Sequence, residues 1–470
     1  MTDITQAPSA LPLLGHALPL LLDRSRFLSS LPQHGDLVWI RIGPQKALVV
    51  TTAELSTRML RDDRTFDKGG VMYDRIREIT GNGVSACPHA DHRRQRRLIQ
   101  PSFQRDRIPT YMPTMYQQAT RLTDTWHEDV PVRIFTEMKK TTARTTLSAL
   151  FSSTLPDDGI DSLVDDLDTV VSGMVKRSIM PGLVNDLPTP GNRKYQRARE
   201  RVHEVVIGLI AQYRHQTADN EDLMSVLVAT RDTEGDNQSL SDIELKDQVV
   251  TFLMAGTETT AGTLSWALHL LTRHSDIDAR LYAEAIEEEA RLQAGGKHDP
   301  ARLPMARKVI LETLRLYPPA PMITRLATQD TELGGHRVPR GTTVIFAPFT
   351  IQHRPDLYPD PDAFRPDRWP EHGSTLQLPR SPFSAFGGGA RQCIGDTFGL
   401  THATVALSTI AARWRLHRTT RREPRPGISL TLVPPRLTLT PHRRPTDTNK
   451  STPQTTHGSL RGVPSAEDSR

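Results

Sequence analysis

The chain has 470 residues, a formal net charge of +5 and a pI near 9.2. This mildly basic balance is not that of a dedicated nucleic-acid-binding protein, so we expect no nucleic-acid partner. Its two widely separated cysteines, Cys87 and Cys393, do not form a disulfide framework, a cysteine-based zinc site or an iron–sulfur cluster. They fit a reducing compartment, which predicts a cytoplasmic protein.

No segment is predicted to cross a membrane. The most apolar stretch, residues 10–22, is shorter than the about 20 residues that a spanning helix needs, and Pro12, Gly15 and Pro19 interrupt it. It also lacks the basic start and the cleavage site of a signal peptide. We therefore expect no membrane partner.

Short strand patterns lie near both ends of the chain, and helical patterns lie between them. Residues 37–43 and 46–50 are β-rich runs on either side of Pro44-Gln45, which predicts a hairpin. Helical patterns then dominate from about residue 90 to about residue 320. Further strands are predicted at residues 331–333, 336–338 and 343–347, with glycine turns between them. The predicted fold class is mainly α with small β-sheets (α+β).

A dense run of basic residues opens one of the early helical patterns, at residues 89–97. His92 and Arg96 are four residues apart and share one helical face, where they could hold carboxylates. His89 is a competing histidine with poorer spacing. The remaining arginines of the run are explained equally well as an ordinary solvated face, and docking of an acidic electron donor is a rival role.

A long central helix is predicted to begin at a capping box formed by Ser241 and Glu244. It continues for roughly 30 residues without proline and is apolar on most faces, so it should be buried. Residues 255–260 interrupt it with small and polar side chains, which leave room for a ligand against the backbone. Within them, Thr259 can compete for a helix carbonyl. The alternative is that Glu258 and Thr259 face solvent or bond locally.

A possible ion-pair scaffold follows. Glu312 and Arg315 are three residues apart on one helical face, and Tyr317-Pro318-Pro319 ends that helix. As an exposed pair they would contribute well under about 1 kcal/mol. About fifty residues later, a loop at residues 364–369 supplies Arg368.

Residues 386–395 read Phe-Gly-Gly-Gly-Ala-Arg-Gln-Cys-Ile-Gly. They place Cys393 at the start of a predicted helix, where unpaired N–H groups and the helix dipole should lower the pKa of the thiol. The glycines allow close backbone approach to a flat ligand or to the sulfur, and Arg391 can hold an anion. The pattern favours an axial thiolate under a carboxylate-bearing macrocycle, which is haem. The alternatives are a small buried hydrophobic residue and a nucleophilic cysteine.

The last part of the chain has a different composition. From about Pro441 onward it is rich in Pro, Thr, Ser, Arg and Asp and has almost no large apolar residues. Such a segment cannot bury enough apolar surface to order itself. We predict one domain over residues 1–440 and a disordered tail over residues 441–470.

The fixed positions of the cysteine loop resemble the haem-binding loop of the cytochrome P450 family: Phe386, Gly389, Arg391, Cys393 and Gly395. The resemblance extends over roughly residues 8–440. It implies the cytochrome P450 fold, with one domain and a long central helix over the haem. The implied cofactor is heme b, with Cys393 as the axial thiolate and with Phe386 and Gly387 beside the cofactor.

The resemblance also implies roles for residues outside the loop. Glu258 and Thr259 would deliver protons to dioxygen during catalysis. A buried triad that locks the haem-binding loop would consist of Glu312, Arg315 and Arg368. The two haem propionates would be held by four side chains: His92, Arg96, Arg325 and Arg391. The last helix departs from the family pattern, since Gly399 stands where Ala is common and His402 where Glu is common.

The implied reaction is insertion of one oxygen atom of O2 into a C–H bond of a small apolar molecule. We find no flavin domain or dinucleotide fingerprint in the chain. Electrons would therefore come in trans from a ferredoxin and an NAD(P)H-dependent ferredoxin reductase. The alternatives are a peroxide-driven peroxygenase and a non-enzymatic haem-binding protein.

The predicted substrate pocket is apolar and favours a compact hydrocarbon such as a terpene. Its expected lining is Met72, Tyr73, Ile76, residues 179–184, Leu253, Ala255 and residues 321–323. Residues 66–70, together with the arginine-rich run, are similar to bacterial terpene oxygenases. That similarity implies successive oxidation of a sesquiterpene (pentalenene-like) methyl group in antibiotic biosynthesis. Fatty acids and macrolides are the alternative substrates.

Overall fold

The computed structural model describes residues 4–152, 155–180, 182–215, 222–235, 237–371, 383–427 and 431–445. These residues fold into sixteen α-helices and ten short β-strands, so the predicted fold class is confirmed. The first eight helices are α1 (Ala17–Leu22), α2 (Arg24–Ser30), α3 (Ala53–Arg61), α4 (Val71–Thr80), α5 (His89–Ile99), α6 (Ile108–Asp124), α7 (Ile134–Phe151) and α8 (Asp157–Ile179). The other eight are α9 (Gly182–Asp186), α10 (Pro190–His215), α11 (Leu223–Ala229), α12 (Asp242–Leu271), α13 (Ser275–Gln293), α14 (Pro304–Leu316), α15 (Pro348–Gln352) and α16 (Asp396–Arg413).

The strands form three small sheets. They are β1 (Leu37–Ile42), β2 (Gln45–Val50), β3 (Phe66–Asp67), β4 (Val132–Arg133), β5 (Ile323–Ala327), β6 (Thr331–Leu333), β7 (His336–Val338), β8 (Thr343–Phe346), β9 (Trp414–Arg418) and β10 (Thr438–Arg443). The largest sheet has the order β1-β2-β8-β5-β3, and it contains the predicted hairpin as its antiparallel β1–β2 pair. Strand β2 pairs in parallel with β8, which brings residues 47–50 and 343–346 together in one sheet.

The central helix α12 begins at the predicted capping box. The backbone N–H of Ser241 donates to the Glu244 carboxylate at 2.8 Å, and the Glu244 N–H donates back to the Ser241 hydroxyl at 3.3 Å. Apolar residues on most faces bury the helix, with α7 and α16 packed along it. Thr142 on α7 donates to the carbonyl of Thr257 at 2.9 Å, which fixes the two helices against each other at the polar interruption.

The tail begins later than we predicted. Residues 441–443 belong to β10, where Pro441 lies opposite Leu416 of β9. Backbone pairing with β9 therefore orders residues that composition alone assigned to the tail. Residues 446–470 lie outside the described part of the chain.

Among the described residues, no helix is long and apolar enough to cross a membrane.

Candidate active site

A cavity of about 410 Å³ lies between the central helix α12 and the cysteine loop that precedes α16. Cys393 lines it from the loop, and Thr259 lines it from the helix. Most of the remaining lining is apolar. The structure therefore brings the two sequence motifs that lie more than a hundred residues apart to opposite walls of one cavity.

The cysteine loop depends on two glycines with positive φ angles. The backbone N–H of Cys393 donates to the carbonyl of Phe386 at 3.0 Å and folds the loop back on itself. Gly389 has φ +67°, and a Cβ there would lie 2.1 Å from the carbonyl oxygen of Leu60, so only glycine fits. Gly387 has φ +72°, lines the cavity and has no other protein atom within 4 Å of a Cβ position. This open side leaves space for a flat ligand.

The loop does not make a thiolate by itself, which corrects our expectation. Burial raises the pKa of the Cys393 thiol to about 11, and the nearby Asp396 carboxylate raises the pKa further. A hydrogen bond from the Gly395 backbone and the charge of Arg96 act in the opposite direction but are outweighed. Cys393 is enclosed by the protein, and its exposed surface faces the interior of the cavity. A metal cation bound to this sulfur would supply the missing stabilisation, because coordination deprotonates a thiol.

Of the two candidate histidines, the cavity contains His92. Its side chain is buried and lines the cavity. Burial lowers the pKa of His92 to about 3, helped by the charges of Arg391 and Lys68, so the imidazole is neutral at pH 7 and offers one N–H. His89 instead pairs with Asp63 at 3.1 Å and is absent from the cavity lining.

Arg391 reaches the cavity but is already paired. Its guanidinium donates to Asp63 at 3.0 Å, to Asp67 at 2.8 Å and to the carbonyl of Cys87 at 2.8 Å. Arg96 donates to the carbonyl of Gln392 at 2.6 Å, next to the cysteine. Both arginines therefore brace the cysteine loop, and two carboxylates already offset the charge of Arg391.

Sequence reasoning missed Lys68, which lines the cavity near Arg325. The Lys68 ammonium donates to the carbonyl of Ser85 at 2.7 Å, and Arg325 donates to the hydroxyl of Tyr73 at 3.0 Å. Burial, together with Arg325 and Arg391, holds the pKa of Lys68 well below its usual range. A carboxylate entering the cavity would relieve this repulsion. The only sequence signal was the position of Lys68 in the run at residues 66–70.

The polar interruption of the central helix faces the cavity, and the helix is continuous there. The hydroxyl of Thr259 donates to the carbonyl of Ala255 at 2.6 Å, which is both the predicted competition for a helix carbonyl and the local bond of the alternative. A Cβ on Gly256 would lie 3.0 Å from the Thr146 hydroxyl of α7, so the small residue permits close helix packing. Glu258 is not among the lining residues, and its Oε1 accepts a hydrogen bond from Thr431 at 2.6 Å.

The predicted triad forms a buried network. Glu312 accepts hydrogen bonds from Arg315 at 2.9 and 3.0 Å, from Arg368 at 2.9 Å and from the indole of Trp369 at 2.9 Å. Glu312 and Arg315 are fully buried. The side chain of Gln352 extends this network, because its amide donates to the carbonyl of Arg315 at 3.0 Å and its oxygen accepts from the backbone of Ser384 at 2.9 Å. The network thus reaches the residues that lead into the cysteine loop.

Two residues of α16 differ from the pattern of the cytochrome P450 family, and they have different consequences. Gly399 lines the cavity, but a Cβ there would meet the Thr260 hydroxyl only at 4.0 Å, so nothing in the structure requires glycine. His402 is buried beside Phe398 and lines the cavity, and burial lowers the pKa of His402 to about 4. The Nε2 of His402 is buried without a hydrogen-bond partner among the described residues.

The predicted substrate pocket is correct in part. Tyr73, Ile76, Ala255 and Ile323 line the cavity, whereas Leu253 is buried in the hydrophobic core on another face of α12. Met72, Met180, Val184 and residues 321–322 do not line it, and the side chains of residues 179 and 181–183 lie outside what the structure describes.

The cavity residues fit haem. A flat apolar ring could lie between the open face of Gly387 and the polar interruption of α12, with its metal on the Cys393 sulfur. Its two carboxylates would meet His92, Lys68 and Arg325, whose donors and positive charges suit anions. Among the described residues there is no cluster of three or more histidine, cysteine or acidic side chains that would hold a bare metal ion instead.

Comparison with known proteins agrees with this geometry. The cytochrome P450 family profile matches residues 6–441. Pentalenene oxygenase of Streptomyces avermitilis is 42% identical over 433 residues, which cover 92% of this chain and 95% of that protein. Cyclooctatin synthase of Streptomyces melanosporofaciens is 40% identical over 438 residues, which cover 92% of this chain and 95% of that protein.

A crystal structure of the cytochrome P450DA heme domain shares the fold. The two structures superpose with a TM-score of 0.81 at 24% sequence identity, over 94% of this chain and 98% of the other. The family match over nearly the whole chain and the cysteine facing the cavity lead to one conclusion: the protein belongs to the cytochrome P450 family and is a haem-thiolate monooxygenase.

Proposed function

We propose that this monooxygenase inserts oxygen into a C–H bond of a terpene hydrocarbon, and that successive turnovers oxidise a methyl group of a sesquiterpene of the pentalenene type. The names of the relatives support this proposal, since one is a pentalenene oxygenase at 42% identity. The observation that carries it is the cavity, which is mainly apolar and offers few free hydrogen-bond donors beside the helix α12. An apolar pocket with few polar anchors suits a hydrocarbon better than a sugar or a peptide.

Four of the five threonines that line the cavity in the described part of the chain illustrate this lack of free donors; Thr260 is the fifth. The hydroxyls of Thr146, Thr251, Thr259 and Thr263 each donate to a carbonyl four residues earlier in their own helix, at 2.6 to 2.9 Å. A hydroxyl has one proton to donate, so these four are occupied. A substrate that needed several hydrogen-bond donors would find these hydroxyls already used.

The residues of the chain divide into two groups of roles. Cys393 would hold the iron, while His92, Lys68 and Arg325 would hold the propionates, with Arg96 and Arg391 bracing the loop. When bound, a haem with a thiolate ligand supplies the chemistry that activates dioxygen. The apolar walls keep water away from the reacting groups, which strengthens electrostatic interactions inside the cavity.

Thr259 is the best-placed residue for proton delivery. Its hydroxyl lines the cavity wall, and its proton rests on the carbonyl of Ala255 at 2.6 Å, so the hydroxyl must rotate away from this carbonyl to donate into the cavity. Glu258, the adjacent residue, would supply protons from the side of α12 away from the cavity. This assignment keeps both members of the acid and alcohol pair, which favours O2 over peroxide as the oxidant.

Electrons would come from a ferredoxin and its NAD(P)H-dependent reductase, in the cytoplasm. The basic helix α5 is a candidate docking surface, although its arginines have partners within the chain. Arg97 pairs with Asp232 at 2.8 Å and Arg94 with Glu244. Arg93 pairs with Glu234 at 3.9 Å, but its side chain is 84% exposed, so it is more available to a partner than Arg94 or Arg97.

A ligand screen tests the substrate class. We expect tricyclic sesquiterpene hydrocarbons, with pentalenene as the reference, to change the spin state of the haem-loaded protein and to be oxidised in the presence of a ferredoxin and its reductase. Fatty acids and macrolides serve as comparison ligands. A spin-state change and product formation with either of those classes, and none with any terpene, would reject the proposed substrate.

Changing Thr259 to valine tests proton delivery. We expect product formation to fall by about 10²-fold, because this is the low end of the loss when acid catalysis is removed. NAD(P)H consumption should continue, and its electrons should reduce O2 to hydrogen peroxide instead of forming product. Thr259→Ser, which keeps the hydroxyl, should retain most activity. Unchanged product yield per NAD(P)H in Thr259→Val, at normal haem content, would show that this hydroxyl carries no proton.

A further inference from the structure

The carboxylate of Glu258 is held by a hydroxyl from the C-terminal part of the chain. Oγ1 of Thr431 donates to Oε1 of Glu258 at 2.6 Å, and both side chains are half-buried. This length lies within the normal range for a hydrogen bond from a hydroxyl to a carboxyl oxygen. The bond joins residues that are 173 positions apart in sequence.

The backbone that carries Thr431 is anchored firmly to the domain. The N–H of Leu432 donates to the carbonyl of Pro319 at 2.9 Å, and the carbonyl of Leu432 accepts from the indole of Trp266 on α12 at 2.8 Å. The side chains of Leu432 and Val433 are buried. Gly262 of α12 lies against Val433, because a Cβ at this glycine would be 2.6 Å from the Val433 side chain. The backbone around Thr431 therefore contacts the helix directly. Thr431 therefore presents its hydroxyl from a fixed position.

We infer that Thr431 is a positioning residue for proton delivery, which fixes the carboxylate of Glu258 through the hydrogen bond to its Oε1. This inference rests on the proposed function, because it requires Glu258 to supply protons. Fixing one rotamer of a glutamate side chain has an entropic cost, and the hydrogen bond from Thr431 helps to offset it. Neither Thr431 nor Glu258 lines the cavity, so Thr431 acts through Glu258 and not on the substrate.

The test compares Thr431→Val with Thr431→Ser in the haem-loaded protein, with pentalenene as probe. Valine has nearly the shape of threonine but no donor, whereas serine keeps the hydroxyl. We expect Thr431→Val to keep haem content and the spin-state response, to lose about tenfold in product per NAD(P)H, and to release the difference as hydrogen peroxide. Thr431→Ser should behave as the wild type. Thr419→Val is the matched control, because the Thr419 hydroxyl donates to the carbonyl of Thr438 on the exposed surface.

Glu258→Gln, measured in parallel, separates the inference from the proposed function. Impaired coupling in Glu258→Gln together with normal coupling in Thr431→Val would overturn the positioning role and leave the acid role intact. Normal coupling in both variants would overturn both. Equal impairment in the two single variants and in the double variant would support the inference, because residues that act as one unit are not additive.

A measurement without turnover tests the contact itself. Thermal unfolding midpoints of the wild type, Thr431→Val, Glu258→Ala and the corresponding double variant form a double-mutant cycle, because alanine removes the acceptor that glutamine would keep. We expect the double variant to lose less than the sum of the two single losses. Strictly additive losses would show that the hydroxyl and the carboxylate do not interact in solution. That result would contradict the inference for any substrate.

Discussion

Glu312→Ala is expected to yield protein with little or no bound haem. The change removes the acceptor for Arg315, Arg368 and Trp369 together and leaves the fully buried Arg315 guanidinium without its counter-charge. Breaking a buried ion pair from one side costs about 3–5 kcal/mol, which is a large part of the stability of an ordinary domain. The measurement is the ratio of haem to protein after purification, with circular dichroism to follow the fold.

The damage should reach the haem site along a defined path. Arg315 is held next to Gln352, and Gln352 accepts from the backbone of Ser384, which leads into the cysteine loop. The ring of Phe383 also packs edge-on against Trp369 at 5.1 Å. Loss of Glu312 therefore loosens the segment that positions Cys393.

An exposed ion pair next to the network provides the control. Asp367 pairs with Arg280 at 2.7 Å, but their side chains are 62% and 48% exposed, and such pairs contribute about 0–1 kcal/mol. Asp367→Asn should therefore keep its haem. A haem content in Glu312→Ala equal to that of Asp367→Asn would mean that the triad does not secure the loop.

Cys393→Ser is expected to abolish monooxygenase activity while the fold is kept. The sulfur faces a cavity and makes few contacts that the smaller hydroxyl would lose. A neutral hydroxyl is a poor replacement for a thiolate ligand, so any haem that remains should lack the thiolate absorption and give no product. Product formation is measured with the reductase system and the substrate found in the screen.

The second cysteine gives a matched comparison. Cys87 is buried, and burial raises the pKa of its thiol. Its backbone carbonyl accepts from Arg391 at 2.8 Å, and its sulfur accepts a longer bond from Arg391 at 3.8 Å. A serine hydroxyl can also accept this bond, so Cys87→Ser should keep activity. Activity that survived Cys393→Ser but disappeared in Cys87→Ser would show that Cys87, and not Cys393, is the sulfur ligand.

Features that depend on short stretches of sequence were predictable. The capping box at Ser241 and Glu244 formed as expected, because both partners lie within one helical turn. The β1–β2 hairpin formed as expected because its two strands are adjacent in sequence and joined by a short turn. The spacing of His92 and Arg96 also predicted their shared face, and both line the cavity. Local geometry decides these features, and the sequence carries it directly.

Features that depend on distant packing were not predictable. One such feature is the face of α12 that meets the cavity. Ala255 lies on the cavity wall and Leu253 in the core, although both are apolar residues of the same helix. The two aspartates that pair with Arg391 come from residues 63 and 67, more than 300 positions away. Burial then reversed the expected pKa of Cys393, because the cost of removing the thiolate from water exceeded the effect of the helix terminus.

The central claim is that the sulfur of Cys393 is the axial ligand of haem iron. The most direct test is the absorption spectrum of the purified protein after reduction and exposure to carbon monoxide. The account predicts the strongly red-shifted Soret band of a thiolate-ligated haem in the wild type and its loss in Cys393→Ser. A wild-type protein with no such band after reconstitution with haem, or a variant that kept the band, would contradict it.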